Sequence, residues 1–129
     1  MILGLGIDLV EIARLERLLQ DRPPRARRFL ERCFTPGERD YCEARGPGRA
    51  ASYAARFAAK EAVMKALGAP PGIRFTDVEV VRGAGRPEVL LAGSAAREAE
   101  ARGVRRVHLT LTHDAGTAAA AVVLEGERA

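Results

Sequence analysis

The segment RVHLTLTHDAGTAAAAVVLE, Arg106 to Glu125, decides the fold class. Val107, Leu109 and Leu111 alternate with His108, Thr110 and Thr112, the period of two that a half-buried strand produces. DAG interrupts the run, and an apolar return follows, so the segment reads as an antiparallel hairpin. Working towards the N-terminus, DVEVV (Asp77 to Val81) and PEVLL (Pro87 to Leu91) flank the glycine-containing RGAGR as a second hairpin, and SAAREAEAR is a short polar helix ending at Gly103.

The longest helix is expected over Arg49 to Leu67, an alanine-rich stretch free of glycine and proline that Gly68, Pro70 and Pro71 stop. FTPGE marks another helix start, with Thr35 as N-cap, Pro36 at the first position and Glu38 at the third. RARRFLERC (Arg25 to Cys33) reads as a short helix. ILGLGID (Ile2 to Asp8) reads as a strand, followed by a helix over LVEIARLERLLQ. This mixed order gives an α+β class, an antiparallel sheet with helices on one face, in a single domain spanning residues 1–129.

A chain of 129 residues and 13.9 kDa, 47% hydrophobic, can bury a core without disulfides. Cys33 and Cys42 fit neither a metal spacing nor a disulfide framework, and read as reduced thiols. The N-terminus is too short and too acidic, at Asp8, for a leader or a membrane span, so the expected location is cytoplasmic. A net charge of +4 and a pI near 9.7 suit an acidic or phosphorylated partner.

Arginine supplies every cationic side chain except Lys60 and Lys65, both in RFAAKEAVMKALG, Arg56 to Gly68. Lysine is a compact point charge where guanidinium is a planar fork, which suggests a role beside Glu61 that arginine cannot fill. Glu61 and Lys65 also match a plain surface pair one turn apart, worth about 0.2–0.5 kcal/mol. Asp8 has two readings of equal weight. One is the N-cap of the following helix with Glu11 at the third position; the other, with Glu61, is a pair of hard oxygen ligands for magnesium. Thr110, Thr112 and His113 could offer a polar rim at the hairpin tip, with Asp114 adjacent, although a lone histidine in a turn is more often structural or solvent-facing; RGAGRP could present Arg86 and backbone N–H groups to an anion, while a hairpin turn explains its glycines equally well.

GIDLVEIARL (Gly6 to Leu15), FTPGE, RFAAKEAVMKALG, GRP (Gly85 to Pro87) and LTLTHD (Leu109 to Asp114) together resemble the holo-acyl-carrier-protein synthases, the small-type 4′-phosphopantetheinyl transferases. The resemblance implies transfer of phosphopantetheine from coenzyme A to an acidic apo-acyl carrier protein, for fatty acid synthesis. It implies that Asp8 and Glu61 hold Mg²⁺, which Mn²⁺ could replace, and that Lys65 contacts the phosphates. Arg14 would belong to the carrier-docking surface. Arg86, Thr112 and His113 would meet coenzyme A, His113 in a neighbouring subunit's cleft of a compact homotrimer.

Threonines at 110 and 112 replace the family's usual serines, and Thr117 stands near its usual aromatic. Glu61, a water on the metal, or His113 with Asp114 are the candidates for the base. The competing class, a basic RNA-binding domain, lacks a recognisable signature and the aromatic platforms that stacking needs; a purely structural oligomer is the third.

Overall fold

The computed structural model describes residues 1–128. Its elements run β1 (Ile2–Glu11), α1 (Ile12–Leu19), α2 (Pro23–Cys33), α3 (Pro36–Glu43), α4 (Arg49–Ala66), β2 (Val78–Arg82), β3 (Pro87–Leu91), α5 (Gly93–Ala101), β4 (Val104–Asp114) and β5 (Thr117–Gly126). The three-stranded antiparallel sheet has the order β1-β5-β4, and β2 pairs with β3 as a separate hairpin. The α+β expectation therefore holds, and among the described residues no helix is long and apolar enough to cross a membrane.

Small residues let α4 lie directly on this sheet. Gly4 and Gly6 of β1 face it, and a Cβ added at Gly6 would stand 1.9 Å from the carbonyl oxygen of Ala62. At Gly4 the corresponding distance to Ala66 O is 2.2 Å. Ala58, Ala62, Ala118 and Ala120 complete a seam of small buried side chains between helix and sheet. Gly6→Ala is expected to force β1 off α4 and to cost at least the ~1–3 kcal/mol of an overpacked core, read as a lower urea midpoint. A midpoint equal to wild type would mean that the strand can shift without loss.

Beneath the helices, Phe29, Phe34, Tyr53, Phe57 and Phe75 gather into one aromatic cluster, with Phe34 and Tyr53 centroids 4.8 Å apart. The few aromatics are spent on the core. The Thr35 N-cap is present as a full capping box, in which Glu38 N donates to Thr35 Oγ1 and Thr35 N donates to Glu38 Oε1.

The helix expected after Asp8 begins later. β1 continues through Glu11, with Leu9 opposite Ala119 and Val10 opposite Ala118, and the first helical residue is Ile12. Cross-strand pairing and burial of Val10 outweigh the local helical period. Asp8 is thus no N-cap; it is a strand residue paired with Ala120. The β4–β5 turn is the two-residue Ala115-Gly116, both at positive φ, 50° and 78°, which matches the right-handed twist of a tight hairpin.

Candidate active site

Period two along β1 puts Gly4, Gly6, Asp8 and Val10 on the face that meets α4. Asp8 emerges where the glycine seam ends, its side chain 17% exposed, against the last turns of α4. There Lys65 Nζ donates to Asp8 Oδ1 at 2.9 Å and to the Ile7 carbonyl at 3.1 Å. The hydrogen bond to Asp8, and then its negative charge, hold the Lys65 ammonium above the ordinary lysine pKa. Glu61 stands one turn back on the same helical stripe, half-buried. The surface pair between Glu61 and Lys65 does not form: the lysine turns to Asp8, and the Glu61 carboxylate has no hydrogen bond or ion pair among the described residues.

Lys60 is not part of this cluster. One residue before Glu61, it points the opposite way and is fully buried, its ammonium donating to Glu38 Oε1 at 2.7 Å, to Phe75 O at 3.0 Å and to Val78 O. Burial pushes its pKa down, and the Glu38 carboxylate opposes that shift. Of the two lysines, then, only Lys65 reaches Asp8 at the surface, and Lys60 answers to the core.

His113 and Thr112 lie on β4, at the opposite edge of the sheet from Asp8. They line an open cleft with Tyr41, Arg45, Arg56 and Arg82. The arginines went unnoticed in the sequence, although Arg56 sits inside the RFAAKEAVMKALG motif. A cation in the middle of a buried alanine-rich run was the available signal, because a charge is not carried inside without compensation. Arg56 is 5% exposed, stacks at 4.1 Å on the Tyr41 ring and donates to Ser52 Oγ at 3.0 Å, while its Nε is buried without a partner among the described residues. The cleft is therefore lined by a fixed guanidinium with Arg45 and Arg82 beside it, a concentration of positive charge that suits an anion.

Asp114 does not orient His113; its Oδ1 accepts the Ala115 N–H at 2.9 Å. Arg86 occupies a third place, a cleft of about 380 Å³ with Arg106 and His108 between the β2–β3 hairpin and β4. Within one chain, Asp8, Glu61 and Lys65 come together, and His113, Thr112 and Arg86 do not join them.

No third His, Cys, Asp or Glu among the described residues gathers with Asp8 and Glu61. Two carboxylates with an open side fit a hard divalent ion such as Mg²⁺, which keeps several waters and takes further ligands from substrate phosphates. Arg14 is exposed on α1, its guanidinium 5.5 Å from the Phe57 ring.

Residues 4–122 match the family model of the 4′-phosphopantetheinyl transferase superfamily. The holo-[acyl-carrier-protein] synthase of Anaeromyxobacter sp. (strain Fw109-5) is 68% identical over 129 residues, 100% of this chain and 99% of the relative. Among solved structures, the Helicobacter pylori holo-[acyl-carrier-protein] synthase in complex with coenzyme A superposes with a TM-score of 0.78 at 31% identity, covering 94% of this chain and 99% of that one. A Bacillus anthracis holo-(acyl-carrier-protein) synthase in complex with CoA (3′,5′-ADP) gives 0.77 at 34% identity, over 98% and 99% of the two chains. With the family model matching residues 4–122 and a relative 68% identical over the whole length, the chain belongs to the 4′-phosphopantetheinyl transferase superfamily.

Proposed function

We propose that this protein transfers the 4′-phosphopantetheine group of coenzyme A to a serine of apo-acyl carrier protein, leaving adenosine 3′,5′-bisphosphate. The observation that carries the reading is the Lys65–Asp8 contact at the accessible end of the β1–α4 seam, with Glu61 one helical turn before Lys65 and its charge felt there. Its sequence relatives carry the holo-[acyl-carrier-protein] synthase name, and the structural neighbours include coenzyme A complexes.

In the reaction the serine oxygen attacks the phosphorus that bears pantetheine. The bond from that phosphorus to the bridging oxygen breaks, and the bridging oxygen leaves with the adenosine phosphate. Mg²⁺ held by Asp8 and Glu61 would supply neutralisation and orientation of the pyrophosphate. Lys65 places its ammonium against the charge that builds on the departing oxygen. Glu61 takes the serine proton; His113 lacks the carboxylate partner that would make it the better base.

The cationic cleft of Arg56, Arg82 and His113 suits the 3′-phosphate, the remaining anionic group of coenzyme A. Arg56→Gln is expected to raise KM for coenzyme A about tenfold or more, from the loss of a charge-assisted contact, and to leave 3′-dephospho-coenzyme A unaffected. Equal losses with both substrates would remove the 3′-phosphate from that cleft.

Since Asp8 and His113 sit on opposite edges of the sheet, a complete site needs a second copy. The sheet face turned away from α4 supports a homotrimer: Leu5, Ile7 and Leu9 of β1 stand there 64–67% exposed, a row of large apolar side chains that water disfavours. Packing such faces around an axis would set one copy's Asp8 edge beside its neighbour's His113 edge. Arg14, with Arg17 on the same exposed helix, suits the acidic carrier protein.

The test is intact-mass spectrometry of an apo-acyl carrier protein incubated with this protein, coenzyme A and Mg²⁺, beside an EDTA control. A gain of one phosphopantetheine group, lost with EDTA, is the expected result. No gain with any acidic carrier, from folded protein that binds coenzyme A, would overturn the proposed transfer.

A further inference from the structure

We propose that Lys65 is a tethered cation that occupies Asp8 until coenzyme A arrives, so that metal binding and substrate binding each depend on the other. The inference rests on the reading that Asp8 and Glu61 hold a divalent metal, and it deepens that reading. The ammonium sits between two oxygens, Asp8 Oδ1 and the Ile7 carbonyl, at 2.9 and 3.1 Å. This is the environment a hard cation would seek, filled by the chain's own positive charge.

Several features make that occupancy reversible. The Lys65 side chain is 52% exposed and its four-carbon stem is flexible, so it can swing without disturbing the seam of Gly4, Gly6 and Ala62. Nothing else among the described residues competes for it: Glu61 leaves it to Asp8. A divalent ion entering beside Asp8 would face a like charge in direct contact with its carboxylate ligand, so metal alone has to displace the ammonium with no new partner to offer it. Coenzyme A supplies that partner, because its pyrophosphate gives Lys65 an anion of higher charge than Asp8. By linkage, whatever factor coenzyme A adds to metal affinity, metal adds to coenzyme A affinity. Arginine would answer this requirement poorly. Its planar fork is broader than the metal ion it would stand in for, whereas an ammonium is a compact point charge on a flexible stem, which gives the lysine in an arginine-rich chain a physical reason.

The experiment titrates Mn²⁺ into wild type, Lys65→Met and Asp8→Asn, each with and without coenzyme A, following free Mn²⁺ by electron paramagnetic resonance. Wild type should bind Mn²⁺ weakly alone and at least tenfold more tightly with coenzyme A. Lys65→Met should bind Mn²⁺ alone at least tenfold more tightly than wild type, and should gain less from coenzyme A than wild type does, keeping only the part that the pyrophosphate supplies as a metal ligand. Selective ¹³C labelling of lysine adds a direct readout, since the chain has only Lys60 and Lys65: the Lys65 Cε resonance should move on adding Mg²⁺ with coenzyme A, with buried Lys60 as the internal reference. If Asp8→Asn loses Mn²⁺ while Lys65→Met binds it like wild type, the tethered-cation proposal is wrong and the metal reading stands. If Asp8→Asn binds Mn²⁺ as wild type does, the metal reading itself fails.

Discussion

Glu61→Gln should lower kcat/KM for carrier-protein modification by about a thousandfold, some 4 kcal/mol of transition-state stabilisation, and leave the fold untouched. The size follows from what the carboxylate does in the proposed reaction: it shares the metal with Asp8 and takes the serine proton, and glutamine does both badly at nearly identical volume. That the fold survives follows from the surroundings. Glu61 is half-buried, makes no ion pair or hydrogen bond among the described residues, and neighbours Lys65, which is anchored to Asp8 and not to it. Steady-state kinetics at several Mg²⁺ concentrations, beside thermal unfolding of the same samples, separates the two claims. Wild-type turnover by Glu61→Gln would remove Glu61 from the site. An equally large loss accompanied by unfolding would show that the side chain holds structure and not chemistry.

What could be read from the chain before its fold was known depended on whether a signal was local. The capping box at Thr35 and Glu38, the alanine-rich α4 with its Gly68 stop and both hairpins each rest on a few neighbouring residues, and all are present. The contact between Asp8 and Lys65 was legible only in part: Lys65 lies on the expected stripe of α4, but Asp8 sits inside β1 and not at the end where a strand of Ile2 to Asp8 would leave it. The start of α1 was not, because Leu9 and Val10 are held in β1 by Ala119 and Ala118, more than a hundred residues away in sequence. Arg56 escaped for a related reason: only packing reveals that its face of α4 is buried beside Tyr41 and opens to the His113 cleft. The two lysines looked alike in sequence, and only the rotation of α4 separates them, sending Lys65 to Asp8 and Lys60 to Glu38.

That rotation is where the largest effect on stability is expected. Lys60→Met should destabilise the protein by about 3–5 kcal/mol, a large part of the ~5–15 kcal/mol that holds a domain folded. The substitution keeps an unbranched apolar stem but strands the Glu38 carboxylate, which is 1% exposed and would retain only the Thr35 and Val80 N–H donors. It also leaves the Phe75 and Val78 carbonyls without the ammonium that ties α4 to the start of β2. Adding Glu38→Gln to Lys60→Met should recover much of the deficit, because a buried pair removed together costs far less than one partner removed alone. Lys60→Arg should not recover it, since the larger planar head has no room among three converging oxygens. Urea midpoints of the four proteins at one fixed concentration decide the matter. A double variant no more stable than Lys60→Met would show that the stranded carboxylate is not the source of the loss, and that the ammonium acts through the two carbonyls it binds.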